Sequence, residues 1–190
     1  MRRTIISLLG LAVLVSALAV PALGQSNNIA DIVISVSSTD GPDDNPNDYD
    51  ILLAAILADE ALTAAVTGTT DLTVLAPIDK AFLRLTGQST EADAAAWLDD
   101  TFGLGSDALR DIVLYHVVSG ASLDTDAVFF TDYDQGKKVT MANGDDIKVR
   151  FLKVVDGTGN RVNPRWPAMD IAADNGMIHT IKEVLLPPAK

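Results

Sequence analysis

From Gly120 to the C-terminus the apolar residues of this chain alternate with polar ones. Val139 and Met141, then Ile147, Val149 and Phe151, then Val154, Ile171, Ile178, Ile181, Val184 and Leu186 fall in short runs, separated by Asn143-Gly144, Asp156-Gly157 and Asn175-Gly176. Alternation puts successive side chains on opposite faces of a strand, and Asn-Gly and Asp-Gly tolerate the positive φ angles of tight hairpins. The second half is therefore expected to form antiparallel strands. The first half carries helical spacing instead, so the order is helices first and sheet last. That order predicts an α+β domain and excludes an alternating βαβ fold. There is no internal repeat, and one domain is the economical count.

Within the first half, Ile29, Ile32, Val33 and Val36 are spaced for one short helix. The segment from Ser37 to Asp50 holds two prolines and five aspartates among turn formers and reads as an exposed loop. Ile51 to Val66 is apolar and reads as two short helices or one broken near Asp59, with Gly68 as the stop. Leu72 to Ala76, ended by Pro77, reads as a buried strand. Asp79 is placed to cap a helix over Lys80 to Leu85. Thr90 and Asp93 form a capping box for a helix with Ala94, Trp97, Leu98 and Phe102 on one face. Ser106 caps the next helix, with Leu109, Ile112 and Val113 inward.

The N-terminus reads as an address. Arg2 and Arg3 precede an apolar run from Thr4 to Val20, and Ala22-Leu23-Gly24 offers small residues for cleavage, so residues 1–24 are expected to be a secretory signal peptide. A retained membrane anchor is the alternative, since a run of this length lies near the minimum that spans a bilayer. Cleavage would leave 25–28 as a polar spacer and 29–188 as the domain, secreted or periplasmic. With no cysteine in the chain, a lipid-modified cysteine is excluded. The exported form has 12 basic and 26 acidic residues, a formal charge of −14. Such a charge opposes nucleic acid and anionic lipid as partners.

Several patterns resemble chemistry without meeting its requirements. Gly103-Leu-Gly105-Ser-Asp-Ala108 fits a dinucleotide fingerprint, yet helix and not strand is expected before it. No Gly-x-Ser-x-Gly elbow is present, and the two histidines, His116 and His179, sit inside apolar runs where buried hydrogen bonding is the usual role. No His/Cys cluster offers a zinc or haem site. Asp43, Asn45 and Asn47 match the first ligand positions of a calcium-binding EF-hand loop, but Asp48 stands where its glycine should be and Ala54 where its bidentate glutamate should be. A solvated acidic loop is the preferred reading, with an irregular calcium site left open. Neither a cofactor nor catalytic residues are expected.

Three segments resemble the fasciclin domain family. Thr73-Val-Leu-Ala-Pro77-Ile-Asp79-Lys-Ala81-Phe82 is similar to its first signature, Leu114-Tyr115-His116-Val-Val-Ser-Gly120 to its central Tyr-His segment, and Asp170 through Pro188 to its closing signature. Ile78 departs from the threonine usual after Ala-Pro, and the Asp40 to Asp50 loop looks like an insertion. The resemblance implies an antiparallel β-sandwich-like core with several helices packed on it. It also implies adhesion and matrix interaction rather than catalysis. In some animal members an Asp-Ile pair before the closing turn is an integrin-recognition element, which corresponds to Asp170 and Ile171, and the Tyr-His segment corresponds to Tyr115 and His116. Apolar residues in such runs normally point inward. The core reading of Ile171, Tyr115 and His116 therefore stands beside the partner-binding one. Asp170 and the loop residues Asp43, Asp44 and Asp48 are expected to be exposed and dispensable for folding. The expected partner is an extracellular or envelope protein. The alternatives are a carbohydrate-binding module, which would expose Trp97, Trp166 or a tyrosine on a sheet face, and a secreted hydrolase with paired carboxylates.

Overall fold

The computed structural model describes residues 27–38, 41–130 and 136–189. The expected signal segment lies outside them. Helices α1 (Ile29–Val36), α2 (Asp50–Leu57) and α3 (Glu60–Gly68) precede strand β1 (Leu72–Pro77). Helices α4 (Asp79–Thr86), α5 (Glu91–Phe102) and α6 (Asp107–Leu114) follow, then strand β2 (Val117–Val118) and the short helix α7 (Thr125–Phe129). Strands β3 (Lys137–Thr140), β4 (Asp146–Arg150), β5 (Lys153–Val155), β6 (Arg161–Val162), β7 (Ile171–Ala173) and β8 (Gly176–Ile181) complete the chain. The helix break expected near Asp59 is present, and the Asp59 carboxylate accepts from the Ala61 and Leu62 N–H groups to start α3. Thr90 and Ser106 cap α5 and α6 as expected.

The strands form two four-stranded sheets, ordered β2-β1-β8-β7 and β3-β4-β5-β6. Alternation along β1 gives three layers. Leu72, Val74 and Ala76 face the core shared with the helices, whereas Leu75 faces the core shared with the second sheet. On β8, Ile178 faces the helices and Ile181 the second sheet. The centre of the first sheet is thus buried on both faces, which accounts for the burial of every residue of β1, Thr73 included.

Three expectations about the strands are corrected. Most pairings are antiparallel, but β1 and β8 run parallel from Leu72↔Gly176 to Pro77↔Ile181. No tight turn joins these two strands, so no hairpin dictates their direction. Val184 and Leu186 lie beyond the last strand: Leu185 is buried there, its N–H donating to His116 Nε2 at 2.9 Å. Asn175-Gly176 does not supply a left-handed turn. The turn residues are Asp174 and Asn175, since Ala173 pairs with Gly176, and neither Asn175 nor Gly176 has positive φ. Gly176 is needed because a Cβ there would overlap the Leu72 carbonyl. The Asn175 amide is buried and ties segments together, accepting from Ile29 N–H at 2.9 Å and donating to the carbonyls of Val66 and Thr69.

Candidate functional site

Tyr115 and His116 leave α6 and enter β2, and both are buried in the core. The Tyr115 hydroxyl donates to the Asp146 carbonyl at 2.9 Å, and burial pushes its pKa up to about 12. His116 Nε2 accepts from Leu185 N–H, so the ring proton is on Nδ1, which donates to the Ile112 carbonyl at 2.8 Å. Burial lowers the His116 pKa to about 4. His179 has the opposite tautomer: Nε2–H donates to the Leu123 carbonyl at 2.8 Å, while Nδ1 accepts from Asp170 N–H at 3.3 Å. Its ring lies 3.8 Å from the Asp170 carboxylate, but burial lowers its pKa, so this contact joins a neutral imidazole and not an ion pair. Both imidazoles have each ring nitrogen committed to backbone, as the apolar runs implied.

Asp170 is exposed, with φ 53°, and its carboxylate is occupied. It accepts from the Thr125 N–H and the Thr125 hydroxyl, each at 2.7 Å, and so anchors the start of α7. Its carboxylate is thus engaged within the fold, where the sequence suggested a free surface charge. Ile171 is half-buried against the helix-side core. Tyr115 and His116 are buried, and two strands, β1 and β8, stand between β2 and the β7 that Ile171 begins.

At the other end of α7 lies a group of residues that the alternation pattern concealed. Phe130, which caps α7, packs edge-on to Phe151 with ring centroids 5.7 Å apart and lies 6.4 Å from Trp166. Phe130, Phe151, Leu152 and Trp166 are exposed by 39%, 45%, 38% and 51%. Phe151 was expected to continue the inward series of β4. Instead Arg150 pairs with Lys153, which leaves Phe151 and Leu152 as the hairpin turn, with Leu152 at φ 61°. No glycine or asparagine marks that turn. Leu152 N–H donates to the Phe129 carbonyl at 2.8 Å and fixes the turn to α7.

Phe151 also borders a cleft of about 380 Å³ on the outer face of the second sheet, with Lys148, Arg150, Lys153 and Arg161 around it. The register explains the cluster. Lys148 pairs with Val155 and Val155 with Arg161, so one row of side chains crosses three strands, and Arg150 and Lys153 form the next row. Among the described residues these four cations form no ion pair. Residues 137–162 hold six basic and three acidic residues in a chain of net charge −12, so charge is segregated within the fold.

A second constellation is acidic. Asp79 does not cap its own helix, whose N-cap is Ile78 without a side-chain bond. Its carboxylate reaches back to α2 and accepts from the Asp50 and Ile51 N–H groups at 3.0 and 2.9 Å. Burial, together with the Asp48 side chain beside it, raises the Asp79 pKa to about 9. Asp48 and Asp50, read from sequence as part of an exposed loop, are buried, as is Glu91. Burial likewise raises the pKa values of Asp50 and Glu91. The loop packs because its backbone is held by carboxylates: Asp50 accepts from Ser38 and Asp43 N–H, and Glu91 accepts from Asp44 N–H. Gly103 and Gly105 lie in the turn between two helices, without the preceding strand that a dinucleotide site requires.

The fasciclin domain family model matches residues 49–187, most of the chain. The chain belongs to the fasciclin domain family, a family of adhesion and interaction domains. Among solved structures it is similar to a FAS1 domain pair from the insect cell adhesion molecule fasciclin I, at 18% identity and a TM-score of 0.47. That similarity covers 71% of this chain and 43% of the domain pair, so the chain spans less than half of that structure. No curated protein sequence matches it. Among the described residues no single helix is long and apolar enough to cross a membrane.

Proposed function

We propose that this chain is an exported, non-catalytic interaction domain that binds an extracellular or envelope partner through the surface where α7, the β4–β5 turn and residues 166–170 meet. The observation that carries this reading is the joint exposure of Phe130, Phe151, Leu152 and Trp166. Aromatic side chains gathered at the surface mark contact sites more often than scattered apolar residues do. Asp170 fits at the rim, because it anchors the first residue of the helix whose last turn presents Phe130. The four adjoining cations favour a partner that presents acidic groups, and at long range they oppose the negative charge of the rest of the domain.

A second reading rests on Trp166. A half-exposed indole beside Phe130, with lysines and arginines on the adjoining sheet face, suits a uronate-bearing polysaccharide. Sugar rings would stack on the aromatic faces and carboxylates would pair with the cations. Capture from envelope extracts, run in parallel with affinity electrophoresis through a uronate polysaccharide gel, separates the two. Trp166→Ala should abolish whichever interaction occurs. Turnover of a glycoside, ester or peptide, abolished by one histidine or carboxylate substitution in a folded variant, would overturn the non-catalytic reading.

A further inference from the structure

Asp48, Asp79 and Glu91 come from three separate segments and meet inside the domain. One carboxylate oxygen of each lies within 4.8 Å of the others. The three residues are 5%, 0% and 1% exposed. Both oxygens of Asp79 accept backbone N–H groups, Asp48 Oδ2 accepts from the Asn45 amide at 2.7 Å, and Glu91 Oε2 accepts from Asp44 N–H at 3.0 Å. Asp48 Oδ1 and Glu91 Oε1 remain, buried and without an N–H or hydroxyl donor; Glu91 Oε1 has no partner, and the Asp48 side chain has only the Asp79 carboxyl beside it. Among the described residues, no lysine, arginine or histidine forms an ion pair with any of the three.

Carboxylates withdrawn from water need a compensating charge, and orphaned oxygens in such a place are the expensive part of the arrangement. We propose that Asp48, Asp79 and Glu91 form a calcium site that ties the 41–50 segment to the starts of α4 and α5. The donors are all oxygens, which selects a hard cation over zinc or copper. Calcium binds oxygen at about 2.3–2.6 Å, so ligand oxygens of one ion stand no more than about 5.2 Å apart, a limit the three carboxylates meet. Magnesium, with bonds of about 2.0–2.1 Å and a demand for octahedral geometry, suits a buried three-carboxylate set less well. Exposed Asp43 groups with buried Asp48 and Asp50 in a second set whose oxygens also lie within 4.8 Å, so Asp48 belongs to both sets. The arrangement departs from an EF-hand because its ligands do not follow one another along a loop. Asp48, which breaks that pattern, is the residue that turns inward.

The site is tested on chelator-treated mature protein by calorimetric titration and thermal unfolding with Ca²⁺ or Mg²⁺. Ca²⁺ should bind saturably with one-to-one stoichiometry and raise the melting temperature by several degrees in a manner reversed by chelator, while Mg²⁺ has a smaller effect. Glu91→Gln and Asp48→Asn should each weaken Ca²⁺ binding at least about tenfold. Should either variant fail to fold, terbium luminescence decides with the parent protein alone. Tyr49 directly follows the ligand Asp48 in the chain, so bound terbium should emit on tyrosine excitation and Ca²⁺ should displace it. Absence of heat, melting shift and luminescence with Ca²⁺ up to about 10 mM, above the weakest range of extracellular calcium modules, would overturn the proposal. Undiminished binding by Glu91→Gln would overturn it equally, by moving the ion to the exposed aspartates. So would a Glu91→Gln protein more stable than the parent with no Ca²⁺ response, which would leave protons alone to neutralise the cluster.

Discussion

Acidification should destabilise this domain through His116, and the size of the effect follows from where the ring sits. His116 titrates near 6.5 when unfolded but only at about 4 when folded, because burial penalises the charged ring; the Ile112 hydrogen bond and Asp156 offset only part of that penalty. Between these values the unfolded chain holds the proton more tightly. Stability from this residue is therefore complete above pH 6.5 and is lost as pH falls toward 4. At 1.36 kcal/mol per pKa unit, the loss between pH 7.5 and 4.5 is about 2.5 kcal/mol. His179 acts in the same direction, while the raised pKa of Asp79 acts in the opposite one, so the total slope is not the diagnostic quantity. The difference between the parent and His116→Gln is. Urea unfolding at both pH values should show the variant losing about 2.5 kcal/mol less than the parent over this interval. Equal losses in both proteins, or an imidazole that NMR titrates above pH 6, would refute the buried neutral assignment.

Gly176→Ala should destabilise by more than about 3 kcal/mol in urea unfolding or prevent folding, because its Cβ meets the Leu72 backbone and neither strand can yield. Asn175→Ala removes the acceptor for Ile29 and the donor to Val66 and Thr69, and should cost about 3 kcal/mol by the same measurement. Asp170→Ala should lower the melting temperature measurably, since it strands the Thr125 N–H and leaves alanine at a positive φ; an unchanged value would show that the Thr125 bonds contribute nothing. Trp166→Ala and Phe130→Ala should change stability by less than about 1 kcal/mol while abolishing partner capture.

What the sequence revealed and what it hid divide along physical lines. The helix starts at Thr90 and Ser106 and the break at Asp59 were legible because a cap and the N–H groups it satisfies lie within three residues of each other. The burial of both histidines was legible from their apolar neighbours. The use of Asp79 was not, since its partners at the start of α2 lie some thirty residues away and a local cap looked equally good. Asn175-Gly176 was recognised as special for the wrong reason. Its side-chain bonds and close backbone approach depend on α1, α3 and β1, which no local pattern encodes. The surface around Phe130 was hidden because alternation assigned Phe151 to the interior, while the turn at Phe151-Leu152 carries no turn-forming residue. The acidic cluster was hidden because a loop rich in Pro, Asn and Asp reads as solvated until its backbone is seen held by Asp50 and Glu91.

Photo-crosslinking addresses the proposed contact surface most directly. A photoreactive residue placed at Phe151, in the exposed turn beside Phe130, is compared with the same residue at Leu104, which is equally exposed in the turn between α5 and α6. On irradiation of the exported protein in its native setting, position 151 should give a discrete adduct that Trp166→Ala removes, and position 104 none. An adduct from position 104 alone, or one from 151 that persists in the Trp166→Ala protein, would contradict the proposed surface.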